Sequence, residues 1–462
     1  MSGTGLGGGV NAPTSEEARA EFRLGDTLRD TSLLGIPLAL RAAFGIAGAA
    51  LVGRGLGPIG YGHHSLALSL SDLLVQLADL GLGQTAIRYA SRAFSRGQTE
   101  IAEAVLDWAW RWRVMLLCGI GGLLALMAEP LARRVLGVPG LIPILWIGLL
   151  SGALTGLAAV PLLRLQAEGR FAAFSGVSVL QVALTFVAVL GVAVSQDWSL
   201  LRVSVAGMLA SALSLAISLA FLPRSAVRGA KGRHWRLRPR EGQLTGVWRA
   251  GDDGTVRLDG AAPGEFALYL SLGALIWQVL GRLDLWCVGA FMGGAEAGLY
   301  AAALRLSLPL SLTLSALGTA LWPRCAVPTT SGQALSLLRR IAPLSAVLSL
   351  GALAYAVIVP LAVVRLFGLE YSSGAPVARL LCARYGISML TYPLTWVGYS
   401  LGFVKRYWMI GVLQLTVAAT MMVLLLPVWG TIAAAWSWIV VEVLGGLALV
   451  WLFLRHLSQG IA

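Results

Sequence analysis

Apolar residues fill long stretches of this chain, each about twenty residues in length, and shorter polar segments separate them. A helix of that length crosses the hydrocarbon of a bilayer, and membrane helices tolerate the Gly and Pro residues that interrupt many of the stretches. The predicted spans are 32–53, 64–86, 113–130, 141–163, 172–195, 200–222, 266–291, 297–319, 341–366, 375–399, 407–428 and 431–454. The pattern therefore predicts an all-α polytopic membrane protein with about twelve transmembrane helices.

The chain also repeats itself. The first half of the stretch at 53–92 has a weaker copy at 289–307, at a spacing of about half the chain, and similar spacings recur further on. The matched positions are Gly53 and Gly289, Gly57 and Gly293, Gly62 and Gly298, Leu68 and Leu304, Pro161 and Pro393, and Gln181 and Gln414. This repeat predicts two six-helix bundles in the same orientation, related by a pseudo-two-fold axis along the membrane normal, with a central cavity between them.

The repeat and the polar segments together predict the domain organisation. The predicted division is an N-terminal segment 1–31, a first bundle 32–222, a basic loop 223–265, a second bundle 266–455 and a tail 456–462. Within the loop, the sequence GVWRAGDDGTVRLDG predicts a β-hairpin, because Asp-Gly accepts the positive φ of a tight turn. Before the third span, Trp residues alternate with charges at 98–113, which predicts an interfacial helix.

Composition agrees with this picture, and charge orients it. Only 12% of the residues are charged, against about 25% in a soluble protein. The net charge is +13, and the Lys and Arg residues concentrate on the side of the membrane that holds both termini. The positive-inside rule therefore predicts that both termini are cytoplasmic. Basic segments on that side face anionic inner-leaflet lipids, so the charge requires no nucleic acid as a partner.

Charged side chains within the predicted spans are the candidates for function. A charge at the bilayer centre costs about 2.5–3.5 kcal/mol, so each needs a partner, a water-filled cavity or a substrate. Asp72, Gln76 and Asp79 share one face of the second span by their i, i+4, i+7 spacing. Arg41 lies at a similar predicted depth to Asp79, which predicts that the two form a pair.

In the second half, Asp284 and Arg305 form another predicted pair, whereas Arg384 and Glu442 lack an obvious neighbour in the sequence. Buried ion pairs also fix helix packing, so a structural and a functional role for the Asp284 pair both stay open. The predicted cavity residues are Arg41, Asp72, Gln76, Asp79, Arg282, Asp284, Arg305 and Arg384.

Nothing in the sequence predicts an enzyme, a cofactor or a bound metal. The chain contains no G-x-x-x-x-G-K-[ST] motif, and its four cysteines are not paired at the spacing of metal ligands. The predicted external loops are too short to form a catalytic domain.

Several quoted stretches resemble those of one family. Residues 51–92, LVGRGLGPIGYGHHSLALSLSDLLVQLADLGLGQTAIRYASR, resemble the opening signature of Wzx-type polysaccharide flippases. These flippases belong to the superfamily of multidrug/oligosaccharidyl-lipid/polysaccharide exporters. The stretch DLWCVGAFMGGAEAGLYAAALRLSLPL is similar to the start of the second bundle in that family. Further similar stretches are LLRLQAEGRF, YSLGFVKRYWMIGVLQL and VWGTIAAAWSWIVVEVLGGL.

The resemblance implies a bacterial inner-membrane protein that moves polyprenyl-diphosphate-linked oligosaccharides by alternating access. It implies that cationic residues of the cavity meet the diphosphate or acidic sugars, and Arg41, Arg282 and Arg305 stand where such residues would be. The implied partners are the lipid-linked oligosaccharide, anionic inner-leaflet lipids and other polysaccharide assembly proteins. Twelve spans, rather than the fourteen of the related lipid II flippases, argue against a lipid II role.

Two alternatives stay open at the level of the sequence. One is a cation-coupled multidrug exporter of the same superfamily, which predicts an acidic cavity. The other is a non-transporting membrane scaffold of a glycan synthesis complex, with the loop 223–265 as its docking arm.

Overall fold

The computed structural model describes residues 24–79, 81–221, 247–250, 256–259, 265–325, 331–401 and 403–459. Within these ranges the chain forms twelve α-helices and one pair of short strands. The helices are α1 Leu24–Asp79, α2 Leu82–Ser95, α3 Thr99–Pro130, α4 Ile142–Ala167, α5 Phe171–Ser195, α6 Leu200–Ala220, α7 Glu265–Met292, α8 Gly294–Cys325, α9 Ser331–Phe367, α10 Ala375–Ser400, α11 Val404–Trp429 and α12 Thr431–Gln459. Short π and 3₁₀ turns lie at Leu131–Val135, Pro139–Leu141 and Leu369–Gly374.

The predicted fold class, a polytopic all-α membrane protein, is confirmed. In the described ranges, ten helices are long and apolar enough to cross a membrane. The number is ten rather than the predicted twelve for two reasons. First, the structure joins the first two predicted spans in the single helix α1, which bends at Gly57, where φ is +67°. Second, the predicted span that corresponds to α10, which carries Arg379 and Arg384, is not among the ten.

The two halves have the same helix order, and the sequence repeat has a structural counterpart. The first bundle contains α1 to α6, and the second contains α7 to α12. Gly57 and Gly293, which are matched in the repeat, both have a positive φ, +67° and +86°. Both stand at the turn between the first and second spans of their bundle, where only glycine adopts this conformation without strain.

Two further matched glycines bring the bundles into close contact. A Cβ atom on Gly62 would lie 1.9 Å from the carbonyl oxygen of Gly294, and one on Gly298 would lie 2.0 Å from that of Pro58. Pro58 and Gly294 are separated by the same spacing as Gly62 and Gly298, so the contact is reciprocal. A reciprocal contact of this kind is what a two-fold axis produces.

The bundles meet at this same end of the molecule, mostly through α1 and α8. Tyr371 donates a hydrogen bond of 2.9 Å to the carbonyl of Gly53, and Arg54 donates one of 2.5 Å to the carbonyl of Arg365. The rings of Tyr61 and Tyr371 also pack together. We call this region, with the Gly62 and Gly298 contact, the closed end.

The segment after the second span differs from the prediction. Helix α1 ends at Asp79, rather than at residue 86, and α2 begins after Gly81, whose φ is +82°. Small buried residues, among them Ala90 and Ala102, pack α2 against α3. The helix predicted at 98–113 is present, but it is not separated from the third span, because α3 continues from Thr99 to Pro130 without a break; its position at the membrane interface stays a prediction.

The predicted hairpin is confirmed in its strands. Strand β1, Val247–Ala250, pairs antiparallel with β2, Val256–Asp259, and Ala250 lies opposite Val256. The predicted turn at 251–254 lies outside the described residues, as do residues 1–23 and most of the loop 223–265. Helices α1 and α12 extend past the predicted bundle limits at 32 and 455, and the division into domains stays a prediction.

Candidate functional site

A cavity of about 380 Å³ lies in the first bundle. Helices α1, α4, α5 and α6 form its walls, and Arg305 enters it from α8 of the second bundle. Its polar lining residues are Arg41, Tyr61, His64, Asp72, Thr155, Gln181, Thr185, Ser211, Ser214 and Arg305. We call it the N cavity. Three of the predicted site residues, Arg41, Asp72 and Arg305, meet in it.

Three lining side chains of the N cavity have buried polar atoms without a hydrogen-bond partner. Within the described part of the chain, these atoms are Arg41 Nε, the Tyr61 hydroxyl oxygen and His64 Nδ1. Buried polar groups are almost always satisfied by protein or water, so unsatisfied ones in a cavity point to a bound molecule.

Electrostatics make the N cavity positive. Asp72, the only acidic residue in the described lining, pairs with Arg282 of α7 at 3.0 Å, so its charge is neutralised from the opposite bundle. Arg41 and Arg305 form no ion pair among the residues that the structure describes. Two guanidinium groups without an acidic partner therefore face the same cavity, and guanidinium groups hold phosphate or carboxylate oxygens in bidentate fashion.

The predicted pair of Arg41 and Asp79 is wrong. Asp79 instead forms an ion pair with Arg113 of α3, which is only 3% exposed. Because α1 begins at Leu24, Arg41 lies well inside the first part of the helix, whereas Asp79 is the last residue of α1. The two side chains therefore lie at different levels.

The predicted pair of Asp284 and Arg305 is also wrong. Asp284 accepts hydrogen bonds of 2.7 Å from the Tyr300 hydroxyl, the Trp438 indole and the backbone N–H of Leu285. Tyr300 and Arg305 are five residues apart on α8, which places them on different faces of that helix. Arg305 accordingly turns to the N cavity, while Asp284 is buried in a network of neutral donors.

Two adjoining cavities, of about 280 and 350 Å³, lie in the second bundle and share Trp277, Tyr392, Trp396 and Glu442. We call them together the C cavity. Arg384, a predicted site residue, lines it beside Glu442, so the structure unites two residues that lacked a neighbour in the sequence. Gln76 is half-buried and does not line the N cavity.

The matched glutamines of the repeat are site residues that the sequence interpretation overlooked. Gln181 lines the N cavity and Gln414 lines the C cavity. The signal that could have found them was their equivalence, because a polar residue kept at matched positions of two membrane bundles faces the interior of each. The described residues contain no cluster of three acidic, His or Cys side chains that could hold a metal ion.

Comparison with known proteins bears on the family and the fold. The family model described as polysaccharide biosynthesis protein matches residues 28–234. No curated protein matches the chain significantly in sequence.

Several solved transporters share the fold. One is an inward-facing multidrug resistance MATE family transporter of the MOP superfamily, with 12% identity, a TM-score of 0.69, and coverage of 91% of this chain and 94% of that one. Another is the lipid II flippase MurJ in an inward closed conformation, with 11% identity, a TM-score of 0.62, and coverage of 91% and 87%. A third is a MOP superfamily transporter from Pyrococcus furiosus, with 13% identity, a TM-score of 0.59, and coverage of 92% and 95%. The family match over residues 28–234 agrees with the resemblance seen in the sequence, and the solved structures share the fold.

Proposed function

We propose that this chain, whose residues 28–234 match the family model described as polysaccharide biosynthesis protein and whose fold is shared by solved MOP superfamily transporters, translocates a polyprenyl-diphosphate-linked oligosaccharide across the bacterial inner membrane. The observation that carries this proposal is the positive N cavity. Arg41 and Arg305 supply guanidinium groups without acidic partners among the described residues, and Asp72, the one acid in the described lining, is paired with Arg282 from outside the cavity.

The chemistry of the cargo fits this cavity. A sugar diphosphate cannot enter hydrocarbon without losing its hydration, and a buried charge is tolerated only when it is paired and hydrogen-bonded. Guanidinium groups provide both charge and paired N–H donors in the geometry of phosphate oxygens. Thr155, Gln181 and Ser211 add neutral hydrogen-bonding groups to the same lining. The apolar tail remains in the lipid.

The closed end indicates the direction in which the cargo moves. The positive-inside rule places both termini in the cytoplasm, so the turns at Gly57 and Gly293 lie at the outer side. The contacts of Gly62 with Gly294 and of Tyr371 with Gly53 then seal the molecule toward the outside. In this conformation the cargo enters from the cytoplasmic leaflet, and opening of the closed end releases it outside.

Deletion of the gene, followed by lipid extraction, tests this function in the cell. We expect a polyprenyl-diphosphate-linked oligosaccharide to accumulate on the cytoplasmic leaflet, and re-expression of the wild-type chain to clear it. A mutant without any such lipid would contradict the proposal.

One observation favours the multidrug exporter. The C cavity combines Glu442 with aromatic rings, a combination that also attracts lipophilic cations. Arg384 in the same cavity opposes this binding. Multidrug export would be supported if cells with intact polysaccharide expel a fluorescent lipophilic cation and if the Glu442→Gln variant loses this efflux.

A further inference from the structure

The C cavity has aromatic walls. Its aromatic lining residues are Trp277, Tyr385, Tyr392, Trp396, Tyr399, Tyr407 and Trp438. The N cavity, in comparison, has one tyrosine, one histidine and two phenylalanines. Ring faces pack against the C–H face of a sugar ring, so walls of this kind offer stacking surfaces to a sugar.

A buried guanidinium group with free donors points into these walls. In the described structure, Arg384 Nε and Nη1 are buried and have no hydrogen-bond partner, and Nη2 donates to Tyr385. The guanidinium carbon lies 3.9 Å from the centre of the Trp438 ring, so packing fixes the group in place. Two donors at fixed positions are thus left for a molecule in the cavity.

The charge of the C cavity differs from that of the N cavity. Glu442, which is 7% exposed, lines the cavity together with Arg384, so the two charges offset each other there. Asp284 nearby is occupied by the three hydrogen bonds described above. A cavity with one fixed cation, one fixed carboxylate and the amide of Gln414 offers both donors and acceptors. This combination suits a neutral, hydroxyl-rich ligand better than a diphosphate.

The two cavities lie next to each other along shared helices. On α7, Gly281 lines the C cavity, and the next residue, Arg282, pairs with Asp72 of the N cavity. On α8, Arg305 lines the N cavity and Ser311 lines the C cavity. Six residues of helix correspond to about 9 Å, a distance that one extended head group can bridge.

We propose that the C cavity is a binding chamber for neutral sugar units of the cargo, separate from the cationic N cavity that holds the diphosphate. This inference rests on the proposed function and assigns the two parts of the head group to different bundles. Trp277 supplies a stacking face. Arg384 donates hydrogen bonds to sugar hydroxyls, and Glu442 accepts hydrogen bonds from them.

Binding measurements on the full chain in lipid nanodiscs test the inference. The probes are a short-chain polyprenyl diphosphate without sugar and the same lipid with two neutral hexoses, and affinities are read by thermophoresis. We expect the hexoses to strengthen binding to the wild type. In Trp277→Leu the affinity for the glycosylated lipid should fall by about fivefold to tenfold, with an unchanged affinity for the sugar-free lipid.

Matched variants separate a binding role from a packing role. Trp277 is 37% exposed, so its replacement leaves the core packing largely intact. Trp277→Phe should recover most of the sugar-dependent affinity, because it restores an aromatic face. Trp436→Leu, a change at a 42% exposed Trp of α12 that does not line the cavity, should behave like the wild type.

The outcomes distinguish this inference from the proposed function. The sugar chamber is overturned if the hexoses add no affinity to the wild type, or if Trp277→Leu keeps the whole sugar-dependent gain in affinity. In either case, binding of the sugar-free lipid to the wild type would still support the flippase proposal. A wild type that binds neither lipid would instead overturn the proposed function, and the inference with it.

Discussion

At the scale of single residues, the polar side chains inside the bundles divide into structural and cargo-facing groups. Asp79 and Asp284 are each occupied by partners of their own, whereas Arg41 and Arg305 line a cavity and form no ion pair among the described residues. Asp72 connects the two groups, since its partner Arg282 belongs to the other bundle. The same residue type therefore has different roles according to which helix face it occupies.

The sequence predicted that charged residues lie inside the bundles better than it predicted their partners. Helical spacing and membrane depth identified Asp72, Asp79 and Arg305 as interior groups, because a charge inside a span has to avoid lipid. Pairing depends on how each helix is rotated and where it begins, which a single sequence does not encode locally. Arg113 was assigned to an interfacial helix, and its burial beside Asp79 could only come from the packing of α3 on α1.

The Asp79 pair gives a prediction about stability. In Asp79→Asn, Arg113 stays buried without its counter-charge, which should lower the free energy of unfolding by about 2 kcal/mol. Thermal unfolding followed by fluorescence measures this loss. Asp197→Asn is the control, because Asp197 pairs with Arg202 at an exposed position. Equal melting temperatures for the two variants would show that the Asp79 pair contributes nothing.

At the scale of elements, glycines set how closely the bundles approach. The repeat predicted matched turns, and the structure shows positive φ at both Gly57 and Gly293. The repeat did not predict that Gly62 and Gly298 would touch across the pseudo-two-fold axis. Equivalence in sequence indicates symmetry, but which symmetric surfaces meet depends on the conformation that the bundles adopt.

The glycine contact gives a prediction about conformation. In Gly298→Ala, the new methyl group would lie 2.0 Å from the carbonyl oxygen of Pro58, so the closed end should open. Spin labels at Ile59→Cys and Leu369→Cys, both exposed positions near this end, report its width in a background without native cysteines. We expect a longer and broader distance distribution than in the parent.

The control for this experiment is Gly207→Ala in α6, where an added Cβ meets nothing within 4 Å. This variant should leave the label distance unchanged and raise helix stability slightly. If both alanine variants give the parental distance distribution, the Gly298 contact does not hold the closed end together.

At the scale of the whole molecule, two bundles of the same helix order enclose cavities of different chemistry. The N cavity has two guanidinium groups without an ion-pair partner among the described residues, and the C cavity has aromatic rings with one cation and one carboxylate that offset each other. Hydrophobic periodicity and the repeat predicted the two bundles, because both patterns extend over the whole chain. The different linings could not be predicted, because they depend on side chains from five helices that meet only in the folded protein.

The central claim is that Arg41 and Arg305 bind the diphosphate during translocation. Its most direct measurement is the rate at which proteoliposomes flip a fluorescent polyprenyl-diphosphate-linked disaccharide. We expect Arg41→Gln and Arg305→Gln each to slow flipping by about tenfold to a hundredfold, since each loses charge-assisted hydrogen bonds. Arg202→Gln, a change at an exposed arginine, should flip at the wild-type rate. Wild-type rates in both cavity variants would contradict the account.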